Sequence, residues 1–590
     1  MGLICPLRLA LLSLIGPQDM TRSAPLSQVR YNIEERALIP TASLKVILLN
    51  SQVGLTEKEA FMKTPRWMAP LMVLSLASLT AGCGTQTSTG TPTGSLSNGT
   101  LKVTWSQNPQ TIDPRKIYDG EDWNIGRALY VGLYSDNAHF KLQPRIAEGM
   151  PQISHNGLVY TVHLNPKATW SNGKPVTAAD FVYALRTELS PSFQSPDTYL
   201  WWMIKGASQY EAGHSQSLGI RAINATTLQY TLNTPYSAFP YVLSVPASFP
   251  VYPPSIHQVA THPVTDGPYV VSQWKTGVSM VLKKNTHYFR PHAYPSTLQF
   301  DFNVNPSVGI LRVENGQASL VGDGIPSANY TSLESNPQYA KDITSGYSPA
   351  VILLALNETV KPFNNLLVRQ AVQMALNKAR LVQMLNGRAQ VANGILPTSL
   401  PGFGKGFPNL YPFNPARAKK LLTQAGYPHG FSTTLGLASE QTGTSQIETL
   451  IEADLGAIGI KVTAKPLPTE SAALAKIPMM TYSWYMDYPD PADFIGGFVT
   501  SPAVVGGSNP AFLNDPTLNA MEAAASKMPL GAARVALYDQ IDKRAMKDAA
   551  YVPLYYPELT FFHSPEVHGF KLPAVYFPAV YSHLTLSSKS

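Results

Sequence analysis

The sequence predicts an α/β protein with more than one core, on three observations. Segments with strand-like alternation and segments with helical spacing follow one another from Thr100 onward. About 500 residues lie beyond an export-type segment, enough for two or three domains. No short internal repeat occurs at solenoid periods, so the alternation is that of packed lobes.

The elements follow in chain order. "TLKVTW", Thr100 to Trp105, alternates as a strand. "GLVYTVHLNP", Gly157 to Pro166, does the same, and the "SNGKP" after it holds an Asn172-Gly173 pair that favours a tight reversal. "VTAADFVYALRTEL", Val176 to Leu189, predicts a helix with Thr177 as N-cap, Asp180 three residues on in a capping-box arrangement, and Phe181, Ala184 and Leu185 on one face. "GPYVVSQWKTGVSMVLKKN", Gly267 to Asn285, reads as two strands around Lys275-Thr276-Gly277. "NNLLVRQAVQMALNKARLVQMLNG", Asn364 to Gly387, predicts one long helix capped by Asn365 and stopped by Gly387. "NPARAKKLLTQAGY" predicts another, with Pro415 in its first turn and Gly426 closing it.

The export-type segment is "LMVLSLASLTAGCG", Leu71 to Gly84. Met62, Lys63 and Arg66 precede an apolar run from Met68 to Leu79, and Thr80, Ala81 and Gly82 lead to Cys83, which is the order of a signal peptide. The run is shorter than the roughly 20 apolar residues of a spanning helix. The cleavage site resembles the lipobox of bacterial lipoproteins, with Thr80 where that motif usually has Leu, and this implies a diacylglycerol on Cys83. Lys58, Glu59 and Ala60 can be encoded as a ribosome-binding sequence just ahead of Met62. Residues 1–61 are therefore expected to be an upstream extension in front of the true start, and they show no sustained period. The other reading is a genuine extension carrying "LICPLRLALLSLIG" as a second export signal. Residues 62–82 are then the signal peptide. Residues 83–99, rich in Gly, Ser and Thr, are a flexible tether. The expected location is extracytoplasmic, on the outer face of the cell membrane, held by lipidated Cys83.

Removing residues 1–82 takes 8 of the 44 Lys and Arg and 5 of the 37 Asp and Glu, leaving 36 against 32, a net charge of +4. So mild an excess argues against a nucleic-acid partner. Of the two cysteines, Cys5 goes with the discarded segment, so no internal disulfide can form. Stability must come from the cores.

Six stretches carry a resemblance in order along the chain: "TIDPRKIYDGEDWNIGRALYVGL", "IAEGMPQISHNGLVYTVHLNPKATWSNGKPVTAADFVYAL", "DGPYVVSQWKTGVSMVLKKNTHYF", "ALNETVKPFNNLLVRQAVQMALNKARL", "YPFNPARAKKLLTQAGY" and "WYMDYPDP". They resemble family 5 of the bacterial extracellular solute-binding proteins, the peptide-binding components of ABC importers. The resemblance implies a two-lobed periplasmic-binding-protein-like fold with an extra subdomain in the first lobe and a two-crossing hinge. Lobe I would hold residues 100–304 and 557–590, with the subdomain inserted at about 134–215, and lobe II residues 305–556. The crossings would be "FDFNVNP", Phe300 to Pro306, and "YYPELT", Tyr555 to Thr560. The implied partners are a peptide held between the lobes and permease subunits driven by separate ATPases. A monomer without a cofactor is expected.

By the same resemblance, Asp487 in "WYMDYPDP" is the carboxylate for a peptide α-amino group, and Trp484, Tyr485 and Met486 form the strand that pairs with the peptide backbone. The residues themselves leave a second role open, since Asp487 could cap the Tyr488-Pro489 turn. From the other lobe, "KIYDG" nominates Tyr118, Asp119 and Gly120, against the reading of an ordinary exposed turn. Thr481 stands where some oligopeptide-binding relatives have an arginine, so no clamp for the ligand carboxylate is visible; Arg369 in "LVRQAV" reads better as packing. Members of the fold also carry nickel chelates, sugars or opines, so the solute class stays open. A secreted hydrolase is the competing class. Neither H-E-x-x-H nor G-x-S-x-G occurs, His257 and His262 are spaced by five, and the prolines around Asp487 and Asp490 suit a rigid turn better than a carboxylate pair.

Overall fold

The computed structural model describes residues 96–587 apart from 98, 119, 291–293, 405, 438–443, 469–470, 501–507, 573–574 and 576–580. The signal segment and Cys83 lie outside the described residues.

Ala350–Leu356 is a run of seven buried apolar residues inside a seven-stranded sheet. Val351, Leu353 and Ala355 enter one apolar cluster, whereas Ile352, Leu354 and Leu356 enter another on the opposite face. A strand covered on both faces has no polar side to show, so its sequence loses the usual alternation. It pairs antiparallel with Met479–Tyr485 on one side and with Tyr551–Phe562 on the other. Phe431–Leu437 and Ile460–Pro466 extend the sheet in parallel beyond Met479–Tyr485. The helices Leu366–Ala375, Pro415–Gln424 and Thr444–Gly456 accompany this second lobe.

The first lobe is built on a five-stranded sheet in the order Leu320–Val321, Thr100–Thr104, Thr297–Asp301, Ser279–Lys284, Tyr269–Lys275. The last two form the expected hairpin, and Gly277 adopts a φ of 73° in its turn. A separate four-stranded antiparallel sheet, Gln152–Ser154, Val159–His163, Thr227–Thr231 and Ile220–Asn224, forms the subdomain with the helix Ala178–Glu188. The capping box is present as read, with Thr177 N–H donating to Asp180 Oδ2 at 2.8 Å.

Three expectations need adjusting. The stretch 364–387 forms two helices, Leu366–Ala375 and Lys378–Met384, because Leu376 is extended and Asn377 opens a new cap. A distant carboxylate holds the break, Asp454 accepting from Asn377 N–H at 2.7 Å and from Arg380 at 2.8 Å. The subdomain sheet runs past 215, since two of its four strands are Ile220–Asn224 and Thr227–Thr231. The chain also stays with the first lobe past Pro306: Leu320–Val321 pairs parallel with Thr100–Thr104. It joins the second sheet at Ile343–Tyr347, which lies against the far half of Tyr551–Phe562. That strand also pairs with Ala350–Leu356 through its first half.

Candidate functional site

The strand Met479–Tyr485 delivers the candidate residues to one corner of the second lobe. Its ladder ends with Val351 opposite Trp484 and Ala350 opposite Tyr485, and Met486 N–H donates to Pro349 O at 3.0 Å. Trp484 and Met486 are buried, and Tyr485 and Asp487 are half-buried. The helix Pro491–Phe498 follows at once. From it, Asp493 Oδ2 accepts the Trp484 indole N–H at 2.8 Å and the Asp487 backbone N–H at 3.1 Å, which pins the turn to the strand end. Gly497 lets the helix lie against the indole, since a Cβ there would stand 2.8 Å from Trp484 Cζ2.

Asp490 caps that helix, accepting from Ala492 N–H at 2.9 Å. Its two oxygens also take both ends of the Arg534 guanidinium, each at 2.7 Å, with both side chains 3% exposed. This bidentate pair raises the Arg534 pKa against the opposing effect of burial. The Asp487 carboxylate accepts from the hydroxyl of Tyr199, which belongs to the subdomain of the first lobe. Beside it, the hydroxyls of Tyr488 and Tyr236 meet at 2.7 Å between the lobes, and Ser237 N–H donates to Ser526 O at 2.9 Å. Burial holds both phenols well above their ordinary pKa, so both stay protonated and one donates to the other. Burial also pushes Tyr485 up to about 12.

On the first lobe, Tyr118 is half-buried just before the helix Gly120–Leu129, and Gly120 O accepts from the Asn124 side chain at 2.8 Å. Asp122 ties the preceding loop down through Gln110 N–H at 2.9 Å and Thr111 N–H at 3.3 Å. Asp113 and Arg115 form a buried pair at 2.6 Å in that loop, which anchors the residues just ahead of Lys116. Asp119 lies outside the described residues. Ile117 and Trp123, which flank the nominated residues, share an apolar cluster with Trp484, Met486 and Tyr488. Arg369 packs inside the second lobe, donating to Asp548 O at 2.8 Å and Phe363 O at 2.9 Å, with Glu358 at 3.6 Å. Among the described residues no group of three His, Cys, Asp or Glu gathers as a metal site.

Four residues of this corner escaped sequence reasoning: Tyr199, Tyr236, Asp493 and Arg534. The high tyrosine content was a visible signal, but it has no address.

Two α/β lobes joined at a hinge strand, with aromatic and carboxylate groups facing each other across the gap, define a periplasmic-type solute-binding protein. Residues 141–504 match the family described as bacterial extracellular solute-binding proteins, family 5 (middle region), and the chain belongs to that family. It is 26% identical over 489 residues to the glutathione-binding protein GsiB of Escherichia coli O1:K1, covering 79% of this chain and 91% of that one. The GsiB of Pectobacterium atrosepticum is 27% identical over 481 residues, covering 78% and 89%. Among solved structures, the periplasmic binding protein DppA from Helicobacter pylori in complex with the peptide STSA is 25% identical, with a TM-score of 0.71 over 83% of this chain and 98% of that one. The murein tripeptide binding protein MppA of Escherichia coli shares the fold at 22% identity, with a TM-score of 0.71 over 84% and 100%.

Proposed function

We propose that this protein captures short peptides with a free α-amino group between its lobes and delivers them to the permease of an ABC importer. The observation that carries this reading is the position of Asp487. It is a half-buried carboxylate at the end of a strand, meeting a hydroxyl of the opposite lobe. A carboxylate so placed suits an ammonium group, because each charge offsets the desolvation of the other. Trp484, Tyr485 and Met486 are the backbone rail along which an extended peptide would run, with Tyr118, Asp119 and Gly120 closing from the first lobe. The names of the relatives agree with this class: DppA was solved with the peptide STSA, and GsiB is named for glutathione, itself a tripeptide with a free α-amino group. A lipid on Cys83 and the tether to residue 99 would hold the body at the membrane, and Cys83→Ser should release it.

A four-way calorimetric cycle tests the anchor. Wild type and Asp487→Asn are each titrated with a tetrapeptide, with glutathione and with their N-acetylated forms. Loss of one partner of a buried charge pair costs about 2–5 kcal/mol of binding, so the free peptide should lose that much in the variant and the acetylated peptide far less. Equal losses for both forms would return Asp487 to a structural role.

A further inference from the structure

A cavity of about 500 Å³ lies in the first lobe, away from the Asp487 corner. It forms where residues 130–136 leave for the subdomain and residues 244–249 come back, beside Arg290 and Ser582, and none of its lining residues comes from the second lobe. Its wall is lopsided in charge, with Arg127, Arg145 and Arg290 against the single carboxylate of Asp136. Arg127 is the one that reaches it, at 3.4 Å. Arg145 donates to Ser135 Oγ at 2.6 Å and to Gln143 at 3.3 Å, and Arg290 donates to Pro144 O at 3.1 Å. These acceptors are neutral. Among the described residues no acid lies within ion-pair distance of Arg145 or Arg290.

Grouping cations without counter-charges is unfavourable, and burial together with the neighbouring Arg290 pushes the Arg145 pKa down. The rest of the wall suits an organic guest. Phe249, Tyr134 and Tyr130 bring aromatic side chains to its lining. Gly132 is in contact with the Phe249 ring, where a Cβ would stand 2.6 Å from Cε1. A volume of this size matches the small-molecule range of about 300–1,000 Å³.

We propose that this cavity is a second binding site, separate from the peptide cleft, for a small organic molecule with a flat apolar body and a doubly negative head, a pair of adjacent carboxylates or a phosphate. Arg145 and Arg290 hold the head as fork-shaped donors, and the aromatic wall takes the body.

Calorimetry at low salt tests it with three probes: phenyl phosphate, phthalate and the uncharged benzyl alcohol. Wild type should bind one of the two anions with a Kd below about 1 mM, and which of the two binds identifies the head group. Benzyl alcohol should give no heat. Arg290→Gln, which disturbs only a bond to a backbone carbonyl, should weaken the anion about ten-fold or more. Arg145→Gln should do the same, provided its melting temperature matches wild type. Asp487→Asn should leave anion affinity unchanged, which separates this site from the peptide reading. No heat from either anion, unchanged affinity in Arg290→Gln, or equal binding of benzyl alcohol would each overturn the proposal.

Discussion

Asp487 and Asp490 stand on the same turn, yet the region each serves is different. Asp490 looks inward, where Arg534 and the helix Pro491–Phe498 consume its hydrogen-bonding capacity and leave it 3% exposed. Asp487 looks outward and meets Tyr199 of the other lobe. The same side chain, three positions apart, is part of the interior in one case and part of the gap in the other. The lesson is that a carboxylate motif is read by where its counterpart sits, because a partner in the same lobe secures the fold and a partner across the gap changes when the lobes move.

The strongest way to break this contrast is Arg534→Ala. It leaves Asp490 buried without its partner, and unfolding in urea should show a loss of about 3–5 kcal/mol. A loss under about 1 kcal/mol would place Asp490 in the same class as Asp487. Asp487→Asn should do the reverse, keeping unfolding free energy within about 1 kcal/mol while binding suffers as described above.

Asp542 sharpens the comparison as a third case. It is 1% exposed and accepts from the N–H groups of Ile395 at 2.9 Å and Leu396 at 3.0 Å, without an arginine among its hydrogen-bond partners. Burial raises its pKa to about 7. Its folded value lies above its unfolded one, so its contribution to stability is full below about pH 4 and is lost as pH rises through about 7. Asp542→Asn removes that decline. The variant should therefore gain on wild type between pH 4 and pH 8 by about 4 kcal/mol, measured as urea midpoints at both pH values. A flat difference would refute the assignment.

The smallest effect is expected from Tyr199→Phe. It removes one hydrogen bond to Asp487 and should lower peptide affinity by about 0.5–1.5 kcal/mol in the same calorimeter. Affinity equal to wild type would mean that Tyr199 merely rests against the carboxylate.

Much of this was legible where the cause is local. Thr177 with Asp180, Asn365 before its helix, and Gly277 in its hairpin each act within a few residues, and each reads directly from the chain. The motif around Trp484 falls at a strand end followed at once by a helix. What escaped was set by distance along the sequence. The break between Leu376 and Lys378 is held by Asp454, and Tyr199 reaches Asp487 over a separation of 288 residues. Leu320–Val321, only two residues long, is too short to carry a period, so the late exit from the first lobe left no pattern.

The strand Tyr551–Phe562 inserts between Ile343–Tyr347 and Ala350–Leu356, although it is made some two hundred residues after them. Until it emerges, the most apolar strand of the second lobe has an open edge, which is a template for pairing with other chains. Assembly of this lobe is therefore late and of high contact order, and folding should be slow compared with a helical protein of equal size. A nascent chain that stays open until its end has been made is also one that can be threaded through a membrane before it locks. A ribosome stalled before Tyr551 would leave a product with that edge uncovered and prone to association.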